Sequence, residues 1–125
     1  MKNKNLYIYH NNKCSKSREV INFLKDNKIN FEIINYLIDP IDDLFLKQTL
    51  KSLENNILEV VRTNEKVYKT KFNNKKLDLS FDEIHSLLKE FPILIQRPIA
   101  VVIKNNNIFK STICRPPEKI KKFLI

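Results

Sequence analysis

Apolar positions along this chain follow two rhythms, and the switches between them lay out the elements. Leu6-Tyr7-Ile8-Tyr9 is a short β-rich run that stops at the polar stretch His10-Asn11-Asn12-Lys13. After it, Val20, Ile21, Phe23 and Leu24 recur at helical spacing. The pattern predicts a strand, a turn and a helix over about 15–27, with Cys14 at the helix N-terminus. Phe31-Glu32-Ile33-Ile34-Asn35-Tyr36 reads as a second strand. The three elements form a βαβ unit with parallel strands, whose site belongs at the carboxyl end of the first strand.

Asp39-Pro40 predicts a helix start, since Asp can cap and Pro suits a first turn, and Leu44, Leu46, Leu50 and Leu53 continue a helical face. A short helical piece is expected over 57–61, ending near Arg62. Residues 63–79 are polar and lysine-rich, with Val67, Tyr68, Phe72 and Leu77 as anchors, and predict loop with some short helix. Ser80-Phe81-Asp82-Glu83 has the S-x-x-E spacing of a capping box, and Ile84, Leu87, Leu88 and Phe91 supply an apolar face to about Glu90. Two apolar runs, over 99–103 and 108–111, flank Asn105-Asn106-Asn107, where Asn can supply positive φ, so a β-hairpin is expected. Pro116-Pro117-Glu118 then opens a last helix toward Phe123. This order is that of a thioredoxin-like α/β fold: a four-stranded mixed sheet with a helical insertion between the βαβ unit and a C-terminal ββα unit.

A chain of 125 residues fits one domain over 1–125 and one site. No apolar run approaches the roughly eighteen residues that span a bilayer, and a strand-like segment begins almost at once. No signal peptide and no membrane span are therefore read, and the cytoplasm is expected. The formal charge of +9 would ordinarily point to nucleic acid. Here it follows a chain-wide preference for Lys, Asn and Ile with no Gly at all, so a nucleic-acid partner is not expected.

That preference makes the arginines informative. Against nineteen Lys there are four Arg, at 18, 62, 97 and 115. Arg carries a planar fork of donors that can grip an oxyanion in pairs, which an ammonium cannot do. For each, the bland alternative is a surface ion pair with little effect. Arg18, on the first helix, is left there, whereas Arg62, Arg97 and Arg115 fall at element ends beside loops.

Two Cys make a poor disulfide framework and a better reactive thiol with a bystander, or a redox pair. At a helix N-terminus Cys14 meets the positive end of the macrodipole and unpaired N–H groups, both of which favour thiolate. His10, Lys13 and Arg18 add to this if they point inward. The alternative is a small buried hydrophobe, which a position between strand and helix makes less apt. Cys14-Ser15-Lys16-Ser17 is C-x-x-S, so Ser17 stands where a resolving cysteine would be, and an outside thiol must finish any cycle. Cys114 reads as a strand-end core residue and His85 as a helix-surface residue. With two His and scattered Cys, no metal-site spacing appears.

Taken together, Ile8-Tyr9-His10-Asn11, Cys14, Ser17 and Arg18, Val61-Arg62, the block from Pro92 through Arg97-Pro98-Ile99, and Cys114-Arg115-Pro116 resemble, in order and spacing, the motifs of the glutaredoxin-coupled arsenate reductases. The resemblance covers essentially the whole chain. It implies a thioredoxin fold in which Cys14 attacks arsenate, and Arg62, Arg97 and Arg115 hold the oxyanion and its thiol adduct. It also implies that His10 helps to lower the cysteine pKa and that Pro98 is a cis-proline facing the thiol. On the residues alone, Pro98 could simply start a strand. Glutathione would be co-substrate and glutaredoxin the electron-donating partner, with no bound cofactor, no metal, no membrane partner, and a monomeric chain. Asn12, Ser15 and Lys16 depart from the family pattern in the loop that presents oxyanion to thiol. Two alternatives share the fold: a thiol reductase with another substrate, and a redox-sensing regulator that binds RNA polymerase. Such regulators typically carry C-x-x-C, which Ser17 breaks.

Overall fold

The computed structural model describes residues 4–72 and 78–124. Strand β1 (Lys4–Tyr9) and helix α1 (Ser15–Asp26) arise where the first run and the first helical face predict them. Strand β2 is shorter than the second apolar run, covering Glu32–Ile34 only. Beyond it the chain turns, because the Asn35 carbonyl accepts from the N–H groups of Ile38 and Asp39, which takes Tyr36 out of the strand and under the sheet.

Helix α2 (Asp43–Lys51) corrects the expected start at Asp39-Pro40. Its cap is Asp42, whose carboxylate accepts from the Phe45 N–H at 2.8 Å. The later start rotates the face, so that Leu46, Thr49 and Leu50 are buried while Leu44 is exposed. A 3-10 turn at Ile57–Val60 precedes α3 (Lys66–Phe72), a short helix inside the polar stretch that buries Tyr68. Leu77, the remaining anchor expected there, lies outside the described residues. Helix α4 (Phe81–Glu90) has the full reciprocal capping box between Ser80 and Glu83. His85 on α4 is more covered than a surface residue, with Nε2 2.9 Å from Asp43 Oδ1 at an angle poor for a hydrogen bond. A 3-10 turn at Pro92–Leu94 follows.

Strands β3 (Ile99–Lys104) and β4 (Asn107–Ile113) are joined by a tighter turn than the tripeptide expected. Asn107 already pairs with Lys104, and only Asn105 and Asn106 turn, with φ of 55° and 67°. Two successive positive φ values mark the mirror-image turn that suits the twist of a hairpin, and Asn fills it in a chain without Gly. Helix α5 (Lys119–Phe123) closes the chain.

The sheet order is β2-β1-β3-β4, with β1 parallel to β2 and antiparallel to β3, so the mixed four-stranded thioredoxin-like sheet is realised. Alternation along β1 sends Leu6 and Ile8 to one face, against Val20, Ile21 and Leu24 of α1 and Ile120 and Phe123 of α5. Tyr9 goes to the other, against Leu46, Leu50, Ile84 and Leu88 of the helical insertion. β3 is covered on both sides, which explains its unbroken apolar run. Among the described residues no helix is long and apolar enough to cross a membrane.

Candidate active site

The loop between β1 and α1 is fastened from three sides. Its entry is tied to the sheet by the His10 N–H, which donates to the Ile34 carbonyl at 3.0 Å. Within it, the Asn11 side chain accepts from the Lys13 N–H and the Asn11 carbonyl accepts from the Cys14 N–H, both at 2.9 Å. Arg18, set aside as a surface ion pair, instead reaches back from α1 and donates to the Asn12 carbonyl at 2.9 Å. Cys14 is thereby held as the N-cap of α1, half-buried, where the first N–H groups of the helix are unpaired.

Burial by itself pushes the Cys14 thiol up. Four donors outweigh it, the N–H groups of Ser17 and Lys16, the Ser17 hydroxyl and the Arg115 guanidinium, and bring the thiol down from 9.0 to about 7. Ser17 has a buried hydroxyl without a hydrogen-bond partner of good geometry, so it acts on the sulfur as a nearby dipole. Arg115 Nη1 lies 3.8 Å from Cys14 Sγ. His10 is not among the groups that lower Cys14. Its own imidazole is pushed down by burial and by the charges of Arg18 and Lys25, and its Nδ1 is buried without a partner.

The arginines are gathered by backbone pairing outside the main sheet. Val61 bridges Ile95, the Arg62 N–H donates to the Leu94 carbonyl at 2.8 Å, and the Gln96 N–H donates to the Val60 carbonyl at 2.7 Å. This small antiparallel pairing sets Arg62 beside Gln96 and Arg97. Arg62 donates to Gln96 Oε1 at 2.7 Å and through Nε to Glu65 Oε2 at 3.1 Å. Arg97 is buried. Its Nη1 donates to the carbonyls of Ile93 at 2.9 Å and Ile95 at 3.3 Å, and its Nη2 lies 3.7 Å from the same Glu65 oxygen. The Arg97–Pro98 and Arg115–Pro116 bonds are both cis, and the Pro98 carbonyl accepts from the Cys114 N–H at 2.8 Å. Arg115 Nη1 also donates to the Arg97 carbonyl at 2.9 Å, joining the arginine segments to the thiol.

Three further residues belong to this cluster and were not singled out by sequence. Glu65 and Gln96 hold the guanidinium groups. Tyr36 packs on Tyr9, and its buried hydroxyl has no hydrogen bond of acceptable geometry. Burial raises the Tyr36 hydroxyl to about 12 despite the nearby charges of Arg97 and Arg62. Cys114 is fully buried in the α1–α5 side of the core, where burial pushes its thiol up to about 12. It is a core residue, inert at neutral pH. A groove beside the thiol loop is lined by His10, Asn12, Lys13, Asn35, Leu37 and Ile38. Among the described residues no cluster of three or more His, Cys, Asp or Glu could hold a metal ion.

A half-buried thiolate at a helix N-terminus, with the Arg115 guanidinium beside it, can attack an electrophilic centre in an oxyanion while that cation offsets the charge. Known proteins carry the same arrangement of chain. The family profile described as ArsC family matches residues 9–123, and this chain belongs to that family. Uncharacterized protein YfgD of Escherichia coli is 39% identical over 118 residues, covering 94% of each chain. An arsenate reductase of Haemophilus influenzae is 36% identical over 118 residues, covering 94% of this chain and 97% of its own. The solved arsenate reductase from Vibrio cholerae superposes with a TM-score of 0.77 at 33% identity, over 97% of this chain and 98% of that one. More distant is the global transcriptional regulator Spx of Bacillus subtilis, 27% identical over 94 residues, 75% of this chain and 71% of its own.

Proposed function

We propose that this protein reduces arsenate to arsenite, with Cys14 as nucleophile, Arg62, Arg97 and Arg115 as the oxyanion clamp, and glutathione and glutaredoxin as the source of electrons. The observation that carries the reading is the contact of Arg115 Nη1 with Cys14 Sγ at 3.8 Å, which puts a fixed cation beside a thiol of about 7. An oxyanion bound to that guanidinium meets the sulfur that is to attack it.

In this scheme the Cys14 thiolate attacks As(V) and water leaves as the S–As bond forms, with no change of oxidation state. A glutathione thiolate then attacks Cys14 Sγ. The S–S bond forms, the S–As bond breaks with its electron pair on arsenic, and As(III) leaves as arsenite. Glutaredoxin reduces the Cys14–glutathione disulfide and regenerates the thiolate. With Ser at position 17 and Cys114 sealed in the core, an external thiol is needed at the second step. The groove beside the loop is the approach we assign to glutathione; a glutathione-dependent cycle suits the reducing cytoplasm, and we take the chain to work there as a monomer without bound cofactor.

Purified protein with arsenate, glutathione, glutaredoxin and a coupled NADPH readout should turn over, and Cys14→Ser should abolish it. The likeness to Spx favours one competing reading, a redox-responsive regulator. Wild-type protein that fails to reduce arsenate while Cys14 still alkylates rapidly at neutral pH would move the function to that reading or to another thiol substrate.

A further inference from the structure

Glu65 Oε2 lies between two guanidinium groups, 3.1 Å from Arg62 Nε and 3.7 Å from Arg97 Nη2. A carboxylate oxygen held between two such forks has the charge and acceptor character of an oxyanion oxygen. Each fork also has partners other than Glu65. Arg62 is also held by Gln96 Oε1 at 2.7 Å, and Arg97 by the carbonyls of Ile93 and Ile95, all neutral acceptors. The Glu65 backbone is fixed as well, since its carbonyl accepts from the N–H groups of Tyr68 and Lys69 at the start of α3.

We infer that Glu65 is an affinity-setting residue of the clamp, an internal anion that occupies the meeting point of Arg62 and Arg97 and must be displaced or repelled when an inorganic oxyanion binds. The inference rests on the clamp reading above and adds to it a residue that weakens binding. Glu65 keeps the site from being held by abundant inorganic phosphate, and its charge acts on anions while leaving neutral ligands alone. Because the neutral acceptors retain the forks, removing the charge without changing the shape leaves two positioned guanidinium groups short of a counterion. Those groups then bind anions more tightly.

The test uses the full chain and Glu65→Gln, with matched thermal melts, and reads the concentration of inorganic phosphate that halves the rate of Cys14 alkylation by neutral iodoacetamide. That concentration should fall about five- to tenfold in Glu65→Gln, the change expected for one partly screened charge at this range. Without phosphate, the rate with anionic iodoacetate relative to iodoacetamide should rise in the variant. Protection that is unchanged or weaker in Glu65→Gln overturns the proposal and leaves the clamp standing, since Glu65 would then only position the forks. If phosphate protects neither protein while alkylation proceeds normally, the clamp itself is wrong and the proposal falls with it.

Discussion

Cys14 owes its low pKa to donors and a cation and not to an adjacent base, and that fixes its response to pH. The thiol is held from 9.0 down to about 7, so its alkylation rate should rise through about pH 7 and plateau well before pH 9. Arg115→Ala should move the midpoint upward by part of the shift only, because the N–H groups of Ser17 and Lys16 remain. The same depression has a stability consequence. A group whose folded pKa is lowered stabilises fully above its unfolded value, near 9, and loses that contribution as pH falls through about 7. Stability of wild type relative to Cys14→Ser should therefore increase between pH 7 and 9, measured by denaturant unfolding at each pH. At this scale the sequence was readable where a residue type was rare: one Cys at a strand–helix junction and four Arg among many Lys. Glu65 was not, because a lone Glu in a lysine-rich stretch looks like any solvated charge. Tyr36 was not either, because it lies at the end of an apolar run and reads as core.

Elements with their own local chemistry were legible; those decided by tertiary contacts were not. The capping box of α4 is written in four consecutive residues, and Ser80→Ala should cost about 1 kcal/mol, read as a lower melting temperature with no effect on Cys14 alkylation. By contrast, Asp39 and Asp42 are both competent caps, and the choice of Asp42 follows from packing Leu46 and Leu50 beneath the sheet while leaving Leu44 in water. β2 stops at Ile34 because the turn after it claims the next backbone groups, a competition that apolar patterning does not register. The pairing of Val61 with Ile95, which aligns Arg62 and Arg97, joins segments far apart in sequence and carries no periodic signal.

Across the whole molecule, the layered βαβ and ββα plan was visible because each unit states its own connection, and Arg97 and Arg115 are joined where the insertion meets the ββα unit. Apart from Arg18, which is exposed, the two kinds of cation are sorted by depth. No Lys with a described side chain is buried, whereas Arg97 is buried and Arg62 and Arg115 are partly so. Under the proposed function, arrival and residence of an anion are consequently governed by different residues. A surface of formal charge +9 draws anions in from beyond contact range, an attraction with a screening length of about 8 Å at physiological ionic strength. Raising salt should slow association of phosphate or arsenate, resolved by stopped-flow, and change the dissociation rate far less. Lys-to-Gln changes over the surface should do the same, so the speed at which the site fills can be retuned from outside with little change in how long a bound anion stays.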